Sequence, residues 1–209
     1  MLEQYGGWPT LLSELCDGEN LTSEKTELVL SEILSGEADP SQISAFLIAL
    51  KVKGETTEEI IGLVRAMLNA SEPLSLPENA IDIVGTGGSL QRREAALNVS
   101  TMASFVAAAS GAVVCKHGNR RASSTSGAFD LLDALGLPVD QTPLQVAEQV
   151  NSKNLGFAFA KTFHPAMRFA GPVRAGIGVP TVFNILGPLS HPGRIKRHLI
   201  GTVKSELAK

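Results

Sequence analysis

Residues 80–121 read AIDIVGTGGSLQRREAALNVSTMASFVAAASGAVVCKHGNRR, and this stretch decides the fold. The run at 80–84 is short, apolar and β-branched and ends at glycine, which is typical of a buried strand. A second run of this kind at 112–115 follows an alanine-rich stretch at 102–109 that has a helical composition. We therefore predict a strand, turn, helix and strand in that order. Alternation of strands and helices along the rest of the chain indicates a parallel α/β sheet.

The turn after the first predicted strand and the start of the helix are both suited to binding phosphate. Gly85, Gly87 and Gly88 permit positive φ and let a ligand approach backbone N–H groups closely. Asn98 and Ser100 precede the helical run, and such residues mark a helix start. The free N–H groups and the dipole of a helix start favour an anion.

A basic cluster follows the second predicted strand. Residues 116–121 read KHGNRR, and we expect the strand to deliver them to a loop. Hydroxyl side chains at 123–126 come next, before a predicted helix at 129–135. Lys and Arg make charge-assisted hydrogen bonds to phosphate oxygens. Because the ends of parallel strands meet in one crevice, we expect these polar groups to lie close to the glycine turn.

Simpler explanations exist for each of these signals. The turn is not a dinucleotide fingerprint, because Leu90 occupies the third glycine position, and no Gly-Lys-Ser/Thr follows as a P-loop requires. A glycine-rich turn after a strand is common without any ligand. The basic cluster could be a solvated loop, although the chain as a whole is acidic, with a net charge of −3.

Composition limits the classes of function. Of the 209 residues 44% are hydrophobic and only 5% aromatic, which predicts an aliphatic core. A pI near 5.8 argues against a general nucleic-acid or membrane-surface partner. Cys16 and Cys115 occur in unrelated contexts and indicate neither a disulfide framework nor a zinc site. The N-terminus lacks the pattern of a signal peptide, and no apolar run approaches the roughly 20 residues of a membrane span.

The first 70 residues have helical periodicity. We predict helices at 22–35, at 41–51 and from Thr56 or Thr57 to Leu68, followed by a Pro/Ser linker at 71–77. The sequence therefore predicts two domains, a helical one at 1–72 and an α/β one at 73–209. Within the second domain we predict a further helix and two further strands, at 145–150, 156–160 and 198–203.

The motifs GTGG, NVST, KHGNR, SSTSG and LLDALG, with FHPAMRFAGPVRAGIGVPTVFNILGPL at 163–189, resemble the anthranilate phosphoribosyltransferases. The resemblance runs from about Leu21 to the C-terminus, and the wider fold family includes the pyrimidine nucleoside phosphorylases. It implies a small all-helical domain followed by a partial parallel α/β phosphoribosyl-binding domain. It also implies a cytoplasmic homodimer, paired through the helical domain, that transfers phosphoribosyl from phosphoribosyl pyrophosphate to anthranilate in tryptophan biosynthesis and uses Mg²⁺.

The resemblance also implies roles for individual residues. No residue has a covalent or acid–base role, because the transfer is a displacement at ribose C1 that needs positioning and charge neutralisation. Ser100 would bind Mg²⁺, and Arg174 is the natural partner for the anthranilate carboxylate. The residues implied for anthranilate are Gly85, Asn119, His164 and Arg174. Those implied for phosphoribosyl pyrophosphate are Gly85, Thr86, Gly87, Gly88, Ser89, Asn98, Val99, Ser100, Thr101, Lys116, His117, Gly118, Asn119, Arg120, Ser123 and Ser124.

The sequence also departs from the family pattern. Ser89 stands where the family has Asp, and the longer segment before Asn98 includes Arg92 and Arg93. Ala96 and Ala128 replace hydroxyl residues of the family. We predict that Arg92 and Arg93 compensate for the lost Asp by contacting phosphates; a solvated surface loop is the alternative.

The family's adjacent Asp-Glu pair, which holds Mg²⁺, does not occur in this sequence. We therefore expect an amino-terminal portion of the enzyme with very low turnover. Three alternatives stay open: a non-catalytic binding or dimerisation module, a transferase with another acceptor, and a phosphorylase-like enzyme. The HPAMR and PVR motifs do not suit the third.

Overall fold

A computed structural model describes residues 2–86, 97–120, 126–202 and 205–208. The chain forms two compact units. Met1–Ser71 and His164–Ser190 form a helical unit, and Glu72–Phe163 and His191–Lys209 form a sheet unit. Within the described residues, no helix combines the length and the apolar character needed to cross a bilayer.

The helical unit begins with a 3₁₀ turn, and its helices are α1 (Gly7–Cys16), α2 (Ser23–Ser35), α3 (Pro40–Lys53), α4 (Thr57–Asn69), α9 (Met167–Ile177) and α10 (Phe183–Leu189). Side-chain caps fix where several of them begin. The Thr22 hydroxyl accepts a hydrogen bond from the Lys25 N–H, and Thr56 forms a capping box with Glu59. Val29, Ile33 and Phe46 lie at the centre of one aliphatic core and have no exposed surface.

Within its described residues, the sheet unit contains four parallel strands in the order β3-β2-β1-β4. They are β1 (Ile81–Gly85), β2 (Val114–Gly118), β3 (Leu155–Phe159) and β4 (Arg197–Gly201). Its helices are α5 (Val99–Ala109), α6 (Ala128–Ala134), α7 (Pro143–Lys153) and the short α8 (Ala160–Phe163). The chain passes from β1 to β2 on one side and returns to place β4 on the other side of β1. The sheet therefore changes direction between β1 and β4, and ligands of open parallel sheets bind outside the carboxyl ends of strands at such a point.

The segment 164–190 differs from its predicted assignment to the α/β domain. It forms α9 and α10, and its residues Ala170, Val182, Phe183 and Leu186 are buried in the same core as α2, α3 and α4. Apolar side chains spaced for a helix stripe, rather than for a strand, give this segment a face that packs on other helices. The α/β unit is therefore interrupted by a segment that belongs to the helical unit.

Candidate phosphate-binding site

The carboxyl end of β1 lies at the switch point of the sheet. Gly85 is the last residue of β1 and pairs with Gly201 of β4. The Thr86 N–H donates a 2.9 Å hydrogen bond to the Gly201 carbonyl, so the chain is held against β4 up to the start of the turn. Gly85 is exposed, which leaves its backbone open to a ligand.

The start of α5 lies next to the segment that precedes α6. The Asn98 side-chain amide donates a 2.8 Å hydrogen bond to the Ser126 hydroxyl. The Asn98 carbonyl accepts from the N–H groups of Thr101 and Met102, which begins the helix. No acidic side chain occupies the first turn of α5, so no residue of the helix itself neutralises its positive end. The predicted helix-start residues Asn98, Val99, Ser100 and Thr101 are therefore placed together.

Lys116 and His117 do not lie in a loop, as the sequence analysis predicted, but in β2 itself. Lys116 pairs with Phe157 of β3, and the cross-strand pairing continues as far as Gly118. The Lys116 side chain is only 2% exposed, and its ammonium donates a 2.6 Å hydrogen bond to the Ile83 carbonyl of β1. The prediction of a loop was wrong because pairing with β3 extends the strand through its polar residues. The Lys116 ammonium therefore lies inside the sheet, beside Ile83, which is two residues before the end of β1.

Asp82 is a buried carboxylate within the strand that the sequence analysis predicted at 80–84. Its side chain is fully buried in β1, and one carboxylate oxygen accepts a 3.2 Å hydrogen bond from the His117 N–H. Burial raises the pKa of Asp82 to about 7, against the opposing effect of the Lys116 charge. Burial lowers the pKa of Lys116, and Asp82 opposes that shift. The sequence contained a signal for this carboxylate, because Asp82 is a charged residue within the apolar run AIDIV. Buried charges without a partner are rare, so such a residue points to a specific role.

The residues after β2 make contacts within the sheet unit. The Asn119 side chain accepts a 2.8 Å hydrogen bond from the Arg120 N–H, and its carbonyl accepts from the Phe129 N–H at the start of α6. The Arg120 guanidinium forms an ion pair of 2.9 Å with Asp133 and lies 4.9 Å from the centre of the Phe159 ring. Asp133, a partner that the sequence did not reveal, raises the pKa of Arg120 by accepting its hydrogen bond.

The two remaining residues implied for anthranilate, His164 and Arg174, lie in the helical unit. Burial lowers the pKa of His164 to about 4, so its imidazole is neutral at pH 7. The Arg174 guanidinium lies 4.7 Å from the centre of the Phe183 ring. Partial burial lowers the pKa of Arg174, which is therefore not an ordinary solvated surface cation.

Several predicted residues lie outside the described residues, namely Gly87, Gly88, Ser89, Arg92, Arg93, Ala96, Ser123 and Ser124. Within the described part of the chain, no three His, Cys, Asp or Glu side chains assemble into a group that could hold a metal ion. The Ser100 hydroxyl alone does not fit a resident Mg²⁺, which usually takes one or two carboxylates together with substrate phosphates.

Two family models match almost the whole chain. One is described as the glycosyl transferase family, helical bundle domain, and matches residues 9–71. The other is described as the glycosyl transferase family, a/b domain, and matches residues 77–209. The second match alone covers more than half of the chain.

Curated relatives and solved structures agree with these models. The anthranilate phosphoribosyltransferase of Rhodococcus jostii is 50% identical over 194 residues, which are 93% of this chain and 53% of the relative. The crystal structure of the Thermus thermophilus enzyme of this name has a TM-score of 0.86 at 42% identity and covers 93% of this chain and 59% of that one. The Saccharomyces cerevisiae enzyme in complex with PRPP and Mg also has a TM-score of 0.86, at 32% identity. The match covers 97% of this chain and 60% of that one.

The chain spans about half the length of the curated relatives that it matches. The helical bundle model precedes the a/b model along the sequence. The chain therefore belongs to the glycosyl transferase family that includes the anthranilate phosphoribosyltransferases.

Proposed function

We propose that this chain provides the phosphoribosyl pyrophosphate-binding portion of an anthranilate phosphoribosyltransferase, a cytoplasmic enzyme of tryptophan biosynthesis. The observation that carries the proposal is the convergence of the β1 end, the α5 start and the β2 end in the sheet unit, with Asn98 bonded to Ser126. The names of its relatives and the PRPP complex of the Saccharomyces cerevisiae enzyme support it.

The proposed reaction joins the anthranilate nitrogen to ribose C1 and breaks the bond from C1 to the diphosphate oxygen. Pyrophosphate leaves with the bonding electrons, and the attacking amine releases a proton to solvent. The transition state has oxocarbenium character, so the protein has to position both reactants and neutralise the leaving group. Backbone N–H groups at Gly85 and at the α5 start would bind the diphosphate, and the buried Lys116 would add positive potential behind them.

The acceptor is proposed to contact residues of the helical unit. Arg174 would hold the anthranilate carboxylate by paired hydrogen bonds, which its planar guanidinium suits. His164 would be a neutral neighbour of the acceptor rather than a charged one, because its pKa lies near 4. Mg²⁺ is proposed as a partner of the substrate diphosphate, with Ser100 as its protein contact, rather than as an ion resident in this chain.

We further propose that the protein is a homodimer paired through the helical unit. Val52 is 81% exposed, and Ile48, one helical turn before it on α3, is also exposed. Ile61 on α4 is an additional exposed apolar side chain. Apolar side chains on neighbouring turns support an interface, because burying them on association would be favourable. Sedimentation equilibrium of the wild type and of Val52→Glu tests this, and an unchanged monomer mass in both would reject it.

Calorimetric titration with phosphoribosyl pyrophosphate and with inorganic pyrophosphate, with Mg²⁺ present, tests the main proposal. Binding should be measurable, and Lys116→Ala should weaken it by about 1–3 kcal/mol, the scale of an interaction with a charged group. Lys153→Ala is the matched control, because Lys153 ends α7 next to the amino end of β3, at the opposite edge of the sheet. No binding at millimolar ligand would reject the proposal. If binding is observed, a measurement of anthranilate consumption would separate an active transferase from a module that only binds.

A further inference from the structure

The buried side chains of Asp82 and Lys116 occupy neighbouring strands beneath the candidate site. Asp82 is fully buried, and Lys116 is 2% exposed. The Lys116 ammonium donates to the Ile83 carbonyl at 2.6 Å, and Asp82 accepts from the His117 N–H at 3.2 Å. Among the described residues, no ion pair within 4 Å joins the two groups, so they interact through the low-dielectric interior. Neither the diphosphate contacts nor the acceptor contacts explain why the sheet should bury a carboxylate here.

An ammonium group removed from water loses its proton readily unless a negative charge compensates for the lost solvation. The Ile83 carbonyl supplies only a dipole. Among the described residues, the titratable neighbours of Lys116 include Asp82 on β1, whose charge acts on it, and Cys115 and His117 next to it in β2. Burial raises the pKa of Cys115, so its thiol remains neutral. Asp82 is thus the one group among these that can carry a negative charge.

We propose that Asp82 is a positioning residue for the phosphate site, the buried counter-charge that keeps Lys116 protonated behind the carboxyl end of β1. It does not contact the ligand and acts only through Lys116. The idea extends the proposed diphosphate site, because it assigns the origin of the positive potential there. Asp82→Asn is the appropriate variant, since an amide oxygen can still accept the His117 N–H hydrogen bond while the charge is lost.

The first experiment follows Lys116 directly in the ligand-free protein by NMR of ¹³C-labelled lysine, with Lys116→Met used to assign the resonance. In Asp82→Asn the midpoint of the Lys116 titration should fall by about one pH unit or more, the usual effect of losing a nearby opposite charge. An unchanged midpoint would overturn the proposal. If Asp82→Asn does not fold, the wild type still decides. Its Lys116 resonance should show a second step where Asp82 ionises, and a single step would overturn the proposal.

The second experiment measures inorganic pyrophosphate affinity between pH 6 and pH 9.5 in a double-mutant cycle of Asp82→Asn and Lys116→Met. The affinity ratio of wild type to Asp82→Asn should rise at high pH, where the variant loses the Lys116 proton first. In the Lys116→Met background the same ratio should not depend on pH. A pH-dependent ratio in that background would overturn the proposal, because Asp82 would then act without Lys116. If the wild type binds no pyrophosphate, the proposed function fails, while the lysine titration still decides the role of Asp82.

Discussion

At the scale of a single residue, burial rather than sequence decides which form of His164 the protein contains. The imidazole is 5% exposed, and its pKa falls to about 4 from an unfolded value near 6.5. The folded state therefore binds a proton less readily than the unfolded chain does. Stability contributed by the neutral imidazole is present above pH 6.5 and is lost as the pH falls toward 4.

This linkage predicts the effect of His164→Gln on the pH dependence of unfolding. The wild type should lose roughly 2–3 kcal/mol between pH 7 and pH 4.5 through His164, because one pKa unit corresponds to about 1.4 kcal/mol. The variant should lack that part of the slope. Urea unfolding at several pH values gives the free energy of unfolding of each protein as a function of pH. Asp82 contributes equally to both curves, so its opposite pH dependence cancels in their difference. His198→Gln changes an exposed imidazole and should keep the wild-type slope. Parallel curves for wild type and His164→Gln would contradict the prediction.

For the single residues of the candidate site, the sequence could predict some positions and not others. Gly85 and Asn98 were placed correctly at a strand end and a helix start, because glycine and cap residues act through local backbone geometry. Lys116 was misplaced, because whether a strand continues through a polar residue depends on neighbours far away in sequence. The hydrogen bond of Asn98 to Ser126 and the ion pair of Arg120 with Asp133 are also non-local contacts. No pattern along the chain encodes them.

At the scale of elements, the close approach of α2 and α4 depends on Gly62. A methyl group there would overlap the Ser23 carbonyl oxygen and the Thr26 hydroxyl. Thr26 lies in the contact itself and donates to the Glu59 carbonyl at 3.1 Å. The absence of a side chain at Gly62 therefore lets the backbones of two helices pack together.

Gly62→Ala should destabilise the protein by about 1–3 kcal/mol or more, because the helices must separate to admit the methyl group. Gly176→Ala is the matched control. Gly176 also lies in a helix of the helical unit, yet a methyl group there meets no atom within 4 Å. The control should be stabilised by roughly 0.5–1 kcal/mol through helix propensity. Equal unfolding midpoints for the two variants in urea would refute this account of the contact.

Two helix starts that are marked by caps lie close to their predicted positions. The helix predicted at 22–35 is α2, which begins directly after the Thr22 cap. The helix predicted from Thr56 or Thr57 to Leu68 is α4, which begins directly after the Thr56 cap. The fold class, a helical domain followed by a parallel sheet, is also confirmed. The assignment of α9 and α10 was not predictable in the same way. Their apolar stripes indicate that they pack on something, and only the folded chain determines which core receives them.

At the scale of the whole molecule, the helical unit is built from two separate segments of chain. The first supplies most of the core, and the second supplies Ala170, Val182, Phe183 and Leu186. The Glu72 N–H donates a 2.8 Å hydrogen bond to the Phe163 carbonyl, so the chain leaves and re-enters this unit at adjacent points.

A fragment of residues 2–71 should therefore be much less stable than one in which Ser71 is joined to 164–190 by a short Gly/Ser linker. The missing side chains Val182, Phe183 and Leu186 each contribute about 1.5–3 kcal/mol when fully buried. Their sum approaches the stability of a whole small domain. Thermal unfolding followed by circular dichroism should show a cooperative transition only for the joined fragment. The joined fragment with Phe183→Ser and Leu186→Ser should lose it. A cooperative transition of equal midpoint in 2–71 alone would disprove this dependence.

The divided helical unit also has a consequence for biosynthesis. Domains usually fold in order as the ribosome releases them, at roughly 5–20 residues per second. Here the first 71 residues emerge long before α9 and α10, which complete their core, so for roughly 5–25 s this apolar surface lacks its covering. The nascent chain is thus a natural client for a holding chaperone during that interval. Slow codons between the two segments of the helical unit would lengthen the exposure.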